Sequence, residues 1–174
     1  MLSRRAILKS ATAASVVAAT PALVRAATAD KSSGDLAKLF DIFVEENFDI
    51  APEFVTSLGL DNGARAYQKF QLGERSPAAA DLANDLAESQ LTRLKAVNAA
   101  SLSASDKLNV KIIGYGLDNQ VTAAKKFKFA GGAAGTPYQI NQLGGAYHDI
   151  PDFLDSQHQI ETKDDAEAYL ARLS

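Results

Sequence analysis

Five side chains able to bind a metal or move a proton lie within eleven residues near the end of the 174-residue chain: His148, Asp149, Asp152, Asp155 and His158. Imidazole nitrogen and carboxylate oxygen together form the donor set of zinc and iron centres. The spacing argues against one here. The two histidines are ten residues apart, not the four that place two imidazoles on one helical face. Pro151 is placed to open a short helix through Gln157, because its missing N–H costs nothing in a first turn. On that helix Asp152 and Asp155 share a face and oppose the helix dipole, a role that requires no metal. Phe153 and Leu154 point elsewhere.

Other catalytic patterns fare no better. No Gly-x-Ser-x-Gly elbow is present. With two histidines in all, a Ser-His-Asp triad must use His148 or His158, and nothing near either supports one. Gly131-Gly132-Ala133-Ala134-Gly135 lacks the Gly-Lys-Ser/Thr ending of a phosphate loop and reads as linker. There is no cysteine, which removes disulfides, thiol catalysis and cysteine-ligated zinc together.

The elements that must carry these residues read as helix after helix. Ser33-Gly34-Asp35 opens a helix on which Leu36, Leu39, Phe40, Phe43, Val44 and Phe48 form one broad apolar face. Pro52 starts a short helix with Phe54, Val55 and Leu58 on its apolar side, stopped by Gly59. Asp61-Asn62-Gly63 signals a turn. Ser76-Pro77 begins a helix predicted to run to about residue 99, with Leu82, Leu86, Leu91, Leu94 and Val97 on one side. Ser103 to Asp106 resembles a capping box and leads into a helix carrying Leu108, Ile112, Tyr115 and Val121. Gly114 and Gly116 weaken that helix by about 1 kcal/mol each relative to alanine, or admit a close neighbour. Lys125 to Phe129 fits a frayed helix end or a short edge strand. Thr162-Lys163-Asp164-Asp165 caps a last helix containing Ala166, Tyr169, Leu170 and Leu173. The expected fold is all-α: an irregular bundle of about five to six helices, with a Gly-rich loop before the last two.

The first residues read as an address. Arg4, Arg5 and Lys9 form a basic region, followed by a run of Ala, Ser, Thr and Val and then small residues. This is the layout of an export signal, and the paired arginines in Ser-Arg-Arg-Ala-Ile-Leu-Lys look like the bacterial twin-arginine pattern. Cleavage is expected between Ala26 and Ala27, or as late as residue 29. The expected localisation is periplasmic or otherwise exported, with the twin-arginine machinery as one partner. The run carries Pro21 and Arg25 and falls short of the roughly 20 strongly apolar residues of a stable membrane anchor. Removing Arg4, Arg5, Lys9 and Arg25 from 18 basic residues leaves 14 against 21 acidic ones, a net charge near −7 over residues 27–174. An acidic domain without a basic stripe is not expected to bind nucleic acid.

Several stretches, taken in order, resemble the N-terminal part of the bacterial domain-of-unknown-function family 885. They are Phe48 to Pro52 with Ser57-Leu58-Gly59-Leu60, and Leu102-Ser103 followed by Asp106-Lys107-Leu108-Asn109. Pro137 to Gly145, Ile150-Pro151-Asp152-Phe153-Leu154, His158, and Asp165 to Leu170 complete the set. The resemblance implies a helical, often exported protein similar to zinc-dependent peptidases of the zincin kind. It places that family's zinc motif, a His-Glu-x-x-x-Gly-His-His-type sequence, downstream of the matching segment. No His-Glu pair occurs here, so no metal ligand and no catalytic residue is carried over, and no cofactor is expected in this chain. The implied function is the N-terminal helical portion of an exported zinc hydrolase, not catalytic alone. A peptide substrate or a C-terminal portion is its expected partner. The alternative is a free-standing periplasmic helical module that binds a peptide or protein. Tyr138, Gln142, Gly144, Gly145, His148 and His158 are the candidate cleft-lining residues, on a close-packed loop between helices.

Overall fold

The computed structural model describes residues 32–127, 140–142 and 144–174. The signal-like segment, the Gly131–Gly135 linker and Tyr138 lie outside the described residues. What is described is all-α, an irregular helical bundle with no strand among the described residues.

Helix α1 spans residues 32–49. Leu36 and Phe43 are buried, with Leu39 and Phe40 packed beside them. Val44, expected on the same face, is 46% exposed. A short helix, α2, runs Pro52–Ser57 with Pro52 at its first position. It ends as expected at Gly59, whose φ of 67° is open to glycine at little cost. The Leu60 amide then donates back to the Val55 carbonyl at 3.0 Å, closing the helix end. Of the three apolar residues expected to pack, only Val55 is buried; Phe54 and Leu58 face outward.

After the Asn62-Gly63 turn the chain forms a 3-10 segment, Gly63–Phe70, which the sequence pattern does not announce. Helix α3, Pro77–Lys95, is capped by Ser76, whose Oγ accepts from the Ala79 amide at 3.2 Å. It stops four residues before the expected end. The chain turns there so that Asn98 can cap a 3-10 turn at Ala99–Ser101. Helix α4, Ala104–Lys126, is capped by Ser103 and continues through both glycines. A Cβ at Gly114 would sit 3.6 Å from Leu94 Cδ2, an ordinary contact, and one at Gly116 would meet open space. Gly114 therefore lies at the α3–α4 contact, whereas Gly116 admits no neighbour.

Helix α4 corrects the pattern reading. Val110, Ile113, Leu117 and Val121 face the core, while Leu108, Ile112 and Tyr115 are exposed. The two sets lie on opposite faces of the helix at 100° per residue. Either could have turned inward. Leu94, Leu102 and the α1 side chains decide the matter by packing on the first set.

Helix α5, Ala146–Ser156, starts five residues before the expected start and carries Pro151 inside it. Gly145, at φ 126°, makes the entry turn that most residues cannot. Asp149 Oδ2 then accepts from the Gly145 amide at 3.1 Å. A Cβ at Gly144 would lie 3.9 Å from Asn141 Nδ2 and 4.0 Å from Asp149 Oδ1, ordinary contacts, so among the described residues this glycine is not pressed between helices. Phe153 and Leu154 are buried. Helix α6, Lys163–Arg172, opens with the expected capping box of Thr162 and Asp165. Its inward face is Asp165, Ala168 and Arg172, spaced i, i+3, i+7. Leu170 and Leu173, expected to be apolar contacts, are exposed. The cap fixes the rotation of the first turn, and that rotation carries both leucines to the outside.

Candidate functional site

The buried side of α6 meets the 3-10 segment, α2 and α5 around Arg172. Arg172 is 5% exposed, and its guanidinium has no carboxylate within bonding distance among the described residues. Its Nε donates to the Gln71 carbonyl at 2.9 Å. Nη2 donates to Thr56 Oγ1 at 2.7 Å and to the Gln68 carbonyl at 3.0 Å. Nη1 donates to His158 Nδ1 at 2.6 Å. The group also stacks 4.9 Å over the Phe153 ring. Burial lowers the Arg172 guanidinium from its usual value, and Asp61 and Glu53 oppose that effect from a distance. Arginine suits this position because its rigid fork of donors spans several acceptors at once.

His158 completes the node. Nδ1 accepts from Arg172, so Nε2 carries the hydrogen and donates to the Asp165 carbonyl at 2.9 Å. The ring is 6% exposed and meets Tyr169 edge-on at 5.4 Å. Both nitrogens are engaged. Gln68 is fully buried beside them; its Nε2 donates to the Phe48 carbonyl at 2.8 Å, and its Oε1 has no donor among the described residues.

Next to the node lies a charged pair. Lys69 Nζ reaches Asp165 Oδ1 at 2.7 Å. The other carboxylate oxygen accepts from the Thr162 amide at 2.8 Å, the Thr162 hydroxyl at 2.7 Å and the Glu161 amide at 3.2 Å. Lys69 first, then Thr162 and Glu161, hold the Asp165 carboxyl well below the usual carboxylate range. Asp165 in turn raises Lys69. Lys69, Asp165 and His158 form one wall of an open polar cleft of about 290 Å³, with Arg172 behind them. Thr56, Ser57 and Asp61 line it on one side, and Ser156 to Gln159 and Glu161 on the other.

The structure separates the residues expected to line one cleft. His158 is on this cleft. Gln142, Gly144, Gly145 and His148 sit at the start of α5 and do not line it. His148 is exposed there, with Nδ1 3.1 Å from Asp149 Oδ1. That contact, followed by the Gly145 amide, lowers the Asp149 carboxyl. Tyr147 adds a local clamp, its hydroxyl lying 2.8 Å from the Asn141 carbonyl and 3.1 Å from that of Gln142. The histidines are thus in different surroundings. No group of three or more His, Asp or Glu side chains converges as a metal site among the described residues.

The sequence reading missed Thr56, Gln68, Lys69, Gln71 and Arg172. The one usable signal was α6 itself. Once Thr162 caps it, Arg172 must fall on the same face as Asp165, two turns along.

Nothing among curated proteins and nothing among solved structures matches the chain. A family model described as "Bacterial protein of unknown function (DUF885)" matches residues 52–174. That span contains Thr56, Gln68, Lys69, Gln71, Phe153, His158, Asp165 and Arg172, the whole node and its charged pair. With most of its length matched, the chain belongs to this family of bacterial proteins of unknown function.

Proposed function

We propose that the chain is an exported helical part of a zinc-hydrolase-like protein that shapes one wall of a peptide cleft and performs no catalysis by itself. The observation that carries this reading is the saturation of the Arg172–His158 node. A zinc ligand must offer a free nitrogen or carboxylate lone pair. His158 has spent Nδ1 on Arg172 and Nε2 on the Asp165 carbonyl. The Asp165 carboxylate is spent on Lys69 and the α6 cap. A zinc ion does not fit these residues without dismantling the docking of α6, so they are read as scaffold. The remaining polar groups around the cleft, Ser57, Asp61, Gln157, Gln159 and Glu161, are suited to contacting a peptide main chain.

The test is metal analysis and peptide hydrolysis on the purified 174-residue protein. The expected result is no retained zinc, no change in melting temperature on chelation and no hydrolysis. Stoichiometric zinc together with chelator-sensitive hydrolysis overturns the proposal.

A second reading, a free-standing periplasmic module binding a peptide or protein, draws on a different place. An apolar groove of about 280 Å³ runs between α1, α3 and α4, lined by Phe40, Val44, Ile50, Ala83, Ile113 and Leu117 among others. Cooperative thermal unfolding of residues 27–174 alone favours this reading; an aggregating product counts against it.

A further inference from the structure

We propose that the His158–Arg172 contact is an acid-sensitive latch: neutral His158 holds α6 against α2, the 3-10 segment and α5, and protonation of its ring releases α6 and opens that wall of the cleft. The argument is one of donors and acceptors. Nε2–H has a fixed acceptor in the Asp165 carbonyl, 2.9 Å away. Nδ1 must therefore present a lone pair, and it does so to a guanidinium nitrogen at 2.6 Å. A proton added at Nδ1 turns the acceptor into a donor. It places N–H against N–H and an imidazolium against a guanidinium, where no lone pair remains to be shared.

Among the described residues, the surroundings offer the added charge no direct partner. From α6, the groups facing His158 are Arg172, the Asp165 carbonyl and the Tyr169 ring. The Asp165 carboxylate is turned away, to Lys69 of the 3-10 segment and to the cap; Asp164 lies 3.6 Å from the same Lys69 nitrogen. Asp61, and Glu53 of α2, act on Arg172 at longer range. Phe153 supplies the α5 contact and is apolar. Glu161 and Asp61 line the cleft but form no hydrogen bond to the ring. Relief comes by separating His158 from Arg172. Arg172 also holds Thr56, Gln68 and Gln71, so its displacement weakens the contacts of α6 with α2 and with the 3-10 segment and leaves the Lys69–Asp165 pair as the remaining tie.

The sign follows from linkage. A free imidazole takes up a proton near pH 6.5, and in the docked geometry a proton on Nδ1 would stand against the Arg172 guanidinium. Acid therefore favours opening, by up to roughly tenfold for each pH unit below about 6.5. Two histidines and no cysteine make the measurement clean.

The experiment is hydrogen exchange of the α6 amides in the whole protein between pH 7.5 and 5, corrected for the intrinsic pH dependence of exchange. His158→Gln and His148→Gln are run beside it. Glutamine keeps one acceptor and one donor and does not titrate. The expected result is about a 30-fold gain in α6 opening from pH 7.5 to 5 in the parent and in His148→Gln, and a flat profile in His158→Gln. Should His158→Gln not fold, nitrogen NMR of the parent decides. His158 must be the Nε2–H tautomer at pH 7.5, and imidazolium must grow in step with α6 exchange. A flat parent profile, a persisting slope in a folded His158→Gln, or imidazolium forming with α6 still protected overturns the latch.

Discussion

The molecule is held together in two different ways. Helices α1, α3 and α4 meet through Leu36, Phe43, Leu94 and Leu102, with Leu39, Phe40, Val97, Val110, Ile113 and Leu117 around them. Helices α2, α5, α6 and the 3-10 segment also bury Val55, Phe153, Leu154 and Ala168, but their centre is polar: Gln68, His158, Asp165 and Arg172. Hydrophobic burial is non-directional and roughly proportional to area. A buried guanidinium is not, because each unpaired acceptor left behind costs desolvation without return. The apolar half is therefore expected to tolerate changes of shape, and the polar half to tolerate almost none.

Removing Arg172 is the strongest way to break this contrast. Arg172→Met leaves the Gln68 and Gln71 carbonyls, the Thr56 hydroxyl and His158 Nδ1 without their donor. The expected loss is about 3–5 kcal/mol, as for other buried charged networks deprived of one member, read as a drop in the denaturant midpoint. Arg172→Lys should recover little, because a single ammonium cannot span four acceptors. If lysine restores the parent midpoint, the node is an ordinary buried charge and the contrast fails.

Leu94 is the matching probe in the apolar half. It is 2% exposed and packs within the α1–α3–α4 cluster, beside Gly114. Leu94→Ala should cost about 2–4 kcal/mol, close to the arginine change. The conservative pair separates the halves. Leu94→Met should cost less than about 1.5 kcal/mol, whereas Arg172→Lys keeps most of its penalty. Comparable losses for the two conservative changes would remove the distinction.

The same division governs what could be read from the sequence. Local chemistry was legible. Ser76-Pro77, Ser103, Thr162-Asp165 and Pro52 with Gly59 all act within a few residues, and each marks the helix end it was expected to mark. The all-α class follows from those signals and from 3.6-residue periodicity. Helix rotation was not legible where a helix is apolar on two sides. In α4, Leu108, Ile112 and Tyr115 made as good a face as Val110, Ile113, Leu117 and Val121, and only the neighbours could choose. The node was least legible. Arg172 bonds to residues 101 to 116 positions away, and two of those acceptors are main-chain carbonyls, which carry no residue signature. The paired histidines drew attention for their chemistry, yet only His158 matters to the packing, through a partner that no local pattern names.

Acid acts on both halves, since Glu46 and Asp106 of the apolar half are also lowered, but it acts most strongly on the polar one. The Asp165 carboxyl is held well below the usual range, first by Lys69, while an unfolded aspartate titrates near 4. Its contribution to stability is complete above about pH 4 and is lost as pH falls below that value toward the folded one. Asp165→Asn should flatten the stability profile between about pH 4 and 2. It should leave any change between pH 7 and 5 as in the parent, since that window belongs to imidazole. Denaturant midpoints across pH 2 to 7 test both windows. An unaltered slope below pH 4 would show that Lys69 gives Asp165 no stabilising preference for its charged form.

The smallest and sharpest comparison sets one cap against another. Ser103 and Thr162 each accept from the amide three residues on, at 3.1 and 3.2 Å, and each donates to that residue's carboxylate, at 2.7 Å in both cases. The local motifs are nearly identical. At α4 the carboxylate of Asp106 is also held by Ser33 at 2.5 Å, and the helix behind it is fixed by apolar packing over its length. Ser103→Ala should cost about 1 kcal/mol, the ordinary value of a cap. At α6 the same hydroxyl steadies Asp165, whose carboxylate meets Lys69 and whose carbonyl receives His158. Losing Thr162 tilts the first turn on which both contacts depend. Thr162→Ala should therefore cost about 2 kcal/mol, the upper end for a cap, and Thr162→Ser should recover most of it. The excess should vanish in an Arg172→Met background, where the node is already broken and the threonine caps a helix and nothing more. Equal costs for the two caps in the parent would mean that the polar half transmits no more than the apolar half does.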